Sequence, residues 1–277
     1  MDLDNLIIKN IQLHLLEMVK SFHLICKKHD LSYYLIGGTL LGAVRHKGFI
    51  PWDDDIDVGM PREDYDKFML LPESELPPNL VKMTKWGNQS KGSFLYMKLS
   101  DINTTLVESY EEKQVSGVFI DIFPLDGAGN FKITSFIKFS VSRFYSSALR
   151  LNAKIVSHKN IFKRLGQILF SKFDNRKIYY YGNKFLRRSC SKSPKYMGNF
   201  VGNWKYKEIT ISKAFGSPIL YSFEDTELYG PEHPEIILKK MYGDDYMLLP
   251  PKDKRRSHHS IDFISFSESY INHTKRL

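Results

Sequence analysis

The sequence predicts an α+β fold. A long amphipathic helix opens the chain, a group of short strand-like runs lies between residues 80 and 123, and a cation-rich helical block follows. Strands gathered in one stretch and helices in another favour segregated layers over alternating βαβ units.

Residues 5–28 carry Ile7, Ile11, Leu15, Val19, Phe22 and Cys26 at three- and four-residue steps, the period of one helix face, with Asp4 as the expected N-cap. Tyr33 to Ile36 reads as a short strand, followed by Gly37-Gly38 and a short helix from Thr39 to His46. Residues 49–60 hold Pro51, four aspartates and an alternating tail, and Pro61 opens a helix through about Leu70. After Pro77-Pro78, strands are expected at Leu80–Thr84, Phe94–Leu99, Thr104–Ser109 and Gly117–Phe123, the last ending at a Pro-Leu-Asp-Gly turn. The stretch from Phe131 to Arg188 reads as helical with breaks near His158 and Asp174. Residues 196–230 are aromatic and Gly-punctuated without a clear period, Pro234–Tyr242 is a short helix, and the last thirty-odd residues read mostly as loop. This divides the chain into a core at 1–130, a basic helical insertion at 131–190, and a part at 191–277 that completes the core and the site.

Composition narrows the class. Of 277 residues, 42% are hydrophobic and 26% charged, as in an ordinary soluble protein. No stretch approaches the ~18 apolar residues of a membrane span. Met1-Asp2-Leu3-Asp4 lacks the basic start and apolar run of a signal peptide, and Cys26 and Cys190 have no partner spacing. A reducing cytoplasm is the expected location. The net charge of +9 is uneven, because residues 131–190 hold fourteen Lys or Arg against the single acid Asp174. That block suits an anionic membrane, a phosphorylated substrate or nucleic acid.

The most specific signal is Gly37-Gly38-Thr39 followed by Trp52-Asp53-Asp54-Asp55-Ile56-Asp57-Val58. In an extended chain alternate side chains share a face, so Ile56, Val58 and Met60 point into a core while Asp55 and Asp57 point together out of it. Like charges two residues apart repel unless a cation neutralises them, and hard oxygen ligands suit Mg²⁺ or Mn²⁺. Glycines between strand and helix let a ligand approach the backbone, and the N–H groups at the helix start are able to hold a phosphate. Asp121, between Ile120 and Ile122, supplies a third carboxylate, as a metal ligand or as the acceptor of a hydroxyl proton. Alone, an Asp-x-Asp is a common loop sequence, a Gly-Gly is a turn, and Asp53 and Asp54 are ordinary solvated loop residues or helix caps. Together these features specify phosphoryl or nucleotidyl transfer.

The run from Ile36 through Asp57, continuing through Met60-Pro61-Arg62-Glu63-Asp64-Tyr65, resembles the LicD family of bacterial phosphocholine transferases, within the nucleotidyltransferase-fold superfamily that includes the fukutin-type proteins. Further matching segments are Asp121 to Asp126, Met241 to Tyr246, Leu249-Pro250-Pro251, and Arg255 with His258. The resemblance covers both ends of the chain and not 131–230. It implies a nucleotidyltransferase-type mixed sheet flanked by helices, with transfer of phosphocholine from CDP-choline to a sugar hydroxyl of teichoic acid, lipopolysaccharide or capsule, releasing CMP. Relatives that move ribitol or glycerol phosphate share these motifs, so a phospho-polyol is an alternative cargo, and a nucleotidyltransferase of the same fold an alternative reaction. Residue by residue, Asp55 and Asp57 match the metal pair, Asp121 the third acid, and Gly37, Gly38 and Thr39 the phosphate-approach turn.

Arg45 is a candidate for the donor pyrophosphate, with a salt bridge to Asp53 or Asp54 as its competing role. Lys98 is a candidate phosphate contact, with a solvated lysine as its alternative. Arg255, His258 and His259 are candidate contacts to donor or acceptor, with a surface loop as the alternative. Trp52 and the many tyrosines are able to cage a quaternary ammonium, but no choline site is assignable from sequence. A binding-module reading, with the basic block gripping nucleic acid, is disfavoured by the carboxylate set and by the lack of a nucleic-acid motif. The expected partners are a CDP-linked donor and a glycan acceptor, lipid-linked at the inner face of the cytoplasmic membrane. A contact there through 131–188, with its apolar stripe Ile161, Leu165, Ile168 and Leu169, is weighed equally against packing of that stripe on the core.

Overall fold

A computed structural model describes residues 3–85, 93–109, 113–152, 173–188, 193–257 and 261–274. The stripe at 161–172, the break at His158, Cys190, His258 and His259 lie outside the described residues.

The fold is α+β, built on a mixed sheet. Its strands are β1 (Tyr34–Leu35), β2 (Asp57–Pro61), β3 (Leu80–Lys85), β4 (Ser93–Asp101) and, at its centre, β7 (Phe119–Gly127). They lie in the order β1-β2-β7-β4-β3, and β8 (Tyr196–Asn199) and β9 (Ile209–Ile211) extend the sheet from the far end of β7. A second sheet joins β5 (Thr105–Glu108), β6 (Gln114–Ser116) and β12 (Ile261–Ser265), and β10 (Ile219–Phe223) forms a hairpin with β11 (Thr226–Gly230).

The opening helix, α1 (Leu3–Lys28), buries Ile11, Leu15, Val19, Phe22 and Cys26 against β7 and β11, as its spacing requires. It already includes Leu3, so Asp4 lies inside the helix and is not its cap. The next helix, α2, spans Gly37–His46 and takes both glycines into its first turn, two residues earlier than expected. The third, α3 (Arg62–Leu70), packs on β2 and β7. The basic block supplies α4 (Lys132–Asn152) and α5 (Asn175–Arg187), which pack on each other and on β4. Asp174, expected as a break, is the N-cap of α5, its side chain accepting from the Arg176 N–H. Pro234–Tyr242 is α6, with proline at the start as expected.

One expectation needs correction. The strand β7 does not stop at a Pro-Leu-Asp-Gly turn but runs through it to Gly127. Its antiparallel neighbour β4 pairs as far as Ile122, and β8 takes over at Leu125. Pro124 falls between the two, where its missing N–H breaks no ladder bond on that side. The C-terminal stretch is mostly loop among its described residues, as expected, with β12 paired to β5 and α7 (Tyr270–Thr274) as its strand and helix. Residues 196–230, which carry no readable period, form four short strands.

Candidate active site

The centre of the sheet brings three predicted residues into one row. On parallel strands β2 and β7, Asp57 is in register with Asp121, and on the other side of β7 Asp121 is opposite Lys98 of β4. The alternation read from sequence holds here, because Ile56, Val58, Met60, Ile120 and Ile122 are fully buried on the opposite face. Regular strand begins only at Asp57, so Asp55 sits in the extended segment leading into it. Asp55, Asp57 and Asp121 all line one cleft of about 940 Å³.

Gly37 and Gly38 close one wall of this cleft. Gly37 has φ +57°, a left-handed conformation that glycine adopts without strain. A Cβ there would stand 3.1 Å from Asp57 Oδ2, and one at Gly38 would stand 2.7 Å from Asp53 Oδ2. The glycines thus admit the two carboxylates to the first turn of α2, where backbone N–H groups favour negative charge. Thr39 fixes the register of the join, its hydroxyl accepting from the Asp57 N–H at 2.9 Å.

The row is electrostatically loaded. Burial pushes the Asp57 carboxyl well above the usual carboxylate range, and Asp55, Asp121, Glu208 and Asp53 push it the same way. Lys98 offsets part of this charge: its side chain is 4% exposed and its Nζ donates to Asp121 Oδ1 at 2.8 Å. It is therefore not a solvated lysine. Its ammonium also lies 3.2 Å from the Phe119 ring centroid, with Phe94 at 5.4 Å and Tyr96 at 5.6 Å. Among the described residues no three His, Cys, Asp or Glu side chains converge closely enough to enclose an ion as they stand. The donor set fits a hard cation in kind: all the groups are carboxylate oxygens, and the charge gathered around Asp57 disfavours its ionisation until a cation offsets it.

The cationic candidates divide. Arg45 lines the cleft, and its Nη1 donates to the carbonyls of Tyr246 at 2.9 Å and Leu248 at 3.0 Å. It ties the 246–248 segment over the site. Arg255 donates to the Pro250 carbonyl at 2.9 Å and stacks on Trp52, its Cζ 5.5 Å from the ring centroid. Asp53 and Asp54 are buried, not solvated. The Asp53 backbone carbonyl accepts from Gln12 at 2.8 Å, and Asp54 accepts from the Ser257 hydroxyl at 2.5 Å.

Glu208 is the residue that sequence reading missed. It reaches the cleft from the 3₁₀ turn at Lys205–Glu208, in the stretch without a period. Burial raises its carboxyl to about 8, against hydrogen bonds from the Trp204 N–H, at 2.8 Å, and the Asn199 side chain. A Cβ at Gly202 would collide with both of its carboxyl oxygens. Only its neighbours Gly198-Asn199 and Gly202-Asn203, punctuating an aromatic stretch, signal such a packed turn, and they do not name the acid. Tyr242 of α6 lies near this group. Burial raises its phenol above the normal range, and Asp53, Asp57, Asp55 and Glu208 add to the effect.

Comparison with known proteins follows the same residues. The model of the family described as "LicD/FKTN/FKRP, nucleotidyltransferase domain" matches residues 30–149, which include every predicted carboxylate. The chain is 31% identical to the Lipopolysaccharide cholinephosphotransferase LicD of Haemophilus influenzae over 268 residues, 94% of this chain and 96% of that one. It is 33% identical to the human Ribitol 5-phosphate transferase FKRP over 89 residues, 32% of this chain and 18% of that one. An uncharacterized protein of Rickettsia typhi is 45% identical over 94 residues, 32% of this chain and 30% of that one. With the similarity to the Haemophilus protein spanning nearly the whole of both chains, this chain belongs to the LicD family.

Proposed function

We propose that the protein is a metal-dependent phosphotransferase that moves phosphocholine, or a similar phospho-alcohol, from a CDP-activated donor to a sugar hydroxyl of a cell-surface glycan. The observation that carries this reading is the row Asp57–Asp121–Lys98 facing one cleft, with Asp55 beside it and glycine backbone opposite. The cholinephosphotransferase name of the full-length relative supports choline as the cargo, and the ribitol phosphate transferase supports the wider class.

In this reading Asp55, Asp57 and Asp121 would hold Mg²⁺ or Mn²⁺, which when bound supplies positive charge to the donor diphosphate. The acceptor oxygen forms a bond to the phosphorus that carries the alcohol, the bond from that phosphorus to the CMP oxygen breaks, and CMP leaves. The acceptor proton passes to a carboxylate, for which Asp121 is the candidate. Lys98 keeps Asp121 oriented in the row. Gly37, Gly38 and Thr39 form the wall that a diphosphate approaches, and Arg45 and Arg255 brace the loops that close the far side. The acceptor is proposed to be lipid-linked, with the basic block contacting an anionic membrane at its cytoplasmic face.

The test is to incubate the protein and Mg²⁺ with CDP-choline, CDP-ribitol and CDP-glycerol and a glycan acceptor. Release of CMP from one of them supports phospho-alcohol transfer. Release of pyrophosphate from a nucleoside triphosphate, with no CMP from any of the three donors, replaces it with nucleotidyl transfer.

A further inference from the structure

Of the aromatic groups in or beside the cleft, two already face cations of the chain itself. Phe94, Tyr96 and Phe119 surround the Lys98 ammonium, and Trp52 faces the Arg255 guanidinium. A third group is different. Trp204 and Tyr242 meet edge to face, with centroids 4.7 Å apart and planes at 68°, and they form a corner on the cleft wall. Among the described residues, the cation set against that corner is Lys207, whose Nζ lies 6.0 Å from the Trp204 centroid, at the outer limit of such contacts, and donates to the Met241 carbonyl.

Beside the corner stands Glu208. Trp204 contributes both the ring and the backbone N–H that holds this carboxyl at 2.8 Å. Asn199 holds it too, and itself accepts from the N–H groups of Val201 and Gly202, each at 3.0 Å. Gly202 leaves the space that the two carboxyl oxygens fill. The charge of Arg143 acts on this carboxyl, but its guanidinium donates to the Gly202 carbonyl at 3.2 Å and, among the described residues, does not form an ion pair with Glu208. A built carboxyl beside two aromatic rings is the chemistry that binds a quaternary ammonium: the rings offer their negative faces, and a cation bound there favours the ionised form of a carboxyl that burial otherwise holds protonated.

We propose that Trp204, Tyr242 and Glu208 form the subsite for the cationic headgroup of the transferred group. The inference rests on the phospho-alcohol reading above and selects within it a trimethylammonium alcohol over a neutral polyol. Binding there places the headgroup in the same cleft as the carboxylate row, and the position of the bound cation then determines which donor is used.

The test titrates wild type, Trp204→Leu and Glu208→Gln proteins with phosphocholine and with its neutral isostere 3,3-dimethylbutyl phosphate, in Mg²⁺, by calorimetry. The two ligands share shape and phosphate and differ in headgroup charge. Wild type is expected to prefer phosphocholine by about ten-fold or more, and each variant to bring that ratio towards one. Glu208→Gln retains an acceptor oxygen for the Trp204 N–H, and Trp204 is 40% exposed, so circular dichroism is expected to show both variants folded. Equal wild-type affinities, a ratio unchanged in both variants, or no binding of either ligand overturns the subsite. Failure of the underlying reading shows separately, as no CMP from any CDP-linked donor. CMP from CDP-ribitol without a preference for the cation leaves phospho-alcohol transfer standing and removes the subsite alone.

Discussion

Lys98 and Asp121 stand opposite each other on antiparallel β4 and β7, and the Lys98 ammonium donates a 2.8 Å hydrogen bond to Asp121 Oδ1. This ion pair sits at the end of a row whose other member, Asp57, is another carboxylate. Lys98→Met removes the cation and leaves the acids. Breaking a buried pair on one side costs about 3–5 kcal/mol. Urea denaturation is expected to show a loss of that order, and Mg²⁺ is expected to recover more stability in the variant than in wild type. An equal response to Mg²⁺ in both proteins would mean that the ion does not bind this row.

Asp57→Asn tests the row from the other end. In the metal-free protein Asp57 is buried among like charges, so the neutral amide is expected to raise the melting temperature while CMP release falls by at least ~10²-fold. Asp55→Asn should lose activity to a similar degree, and EDTA should stop the wild type. Near wild-type rates in both variants with Mg²⁺ present would remove these residues from the chemistry.

Why the carboxylate row was legible, and the subsite was not, has a physical cause. Asp57 and Asp121 lie in extended chain between buried β-branched residues, and Asp55 precedes buried Ile56, so a period of two reports their common face locally. What joins them is the parallel pairing of β2 with β7, a contact between distant segments that no local pattern encodes. Glu208 lies in a turn whose burial comes from Gly202 and Asn199, and its approach to Tyr242 depends on where α6 packs. The strand through Pro124 was hidden for a similar reason. A proline within a run signals an end unless the neighbouring strand changes at that residue, and here it does.

Glu208 also gives the protein a pH signature. Burial raises its carboxyl from the unfolded value of 4.5 to about 8. Between these values the folded state binds more proton than the unfolded one, so its contribution to stability is complete below pH 4.5 and is lost as pH rises through about 8. Glu208→Gln, which does not titrate, is therefore expected to gain melting temperature relative to wild type as pH increases across this window. A constant difference from pH 5 to pH 9, values set by the ~4-unit span of the shift, would show that the carboxyl is not held protonated by the fold.

Arg62 and Asp126 carry a different expectation. Arg62 Nε and Nη2 reach Asp126 Oδ1 and Oδ2 at 2.8 and 2.7 Å, tying the start of α3 to the end of β7. Asp126 is buried and does not line the cleft. Asp126→Asn should cost about 3–5 kcal/mol in urea denaturation, since it strips a buried guanidinium of its bidentate partner and leaves Asp66, at 3.4 Å, as its ion pair. Measured per folded molecule, CMP release should persist. Loss of transfer in fully folded protein would place this pair in the chemistry instead of the scaffold.

The basic block admits a sharper membrane test than its charge alone suggested, because the structure sorts its cations. Lys138 is buried, donating to the carbonyls of Gly127, Leu186 and Arg188 at 2.6, 2.6 and 3.0 Å, where it satisfies the end of α5. Arg143 and Arg150 turn toward residues 202–203, at the cleft. These three therefore do not face a lipid surface. Ile133, Phe136, Ile137 and Phe144 do lie exposed on α4, with Phe131 just before it, Lys132 among them, and Arg176, Lys177 and Lys184 exposed on α5. Apolar side chains entering an interface and cations worth about 1 kcal/mol each at an anionic surface would act together. Liposome co-sedimentation is expected to show binding to anionic vesicles that falls with added salt, and falls again in a Phe136→Ser/Ile137→Ser protein. Reversal of Lys138, Arg143 or Arg150 would be a poor control, since each is committed to a carbonyl or amide partner within the fold. Absence of binding to anionic vesicles at low salt would assign the exposed α4 face to something other than a membrane.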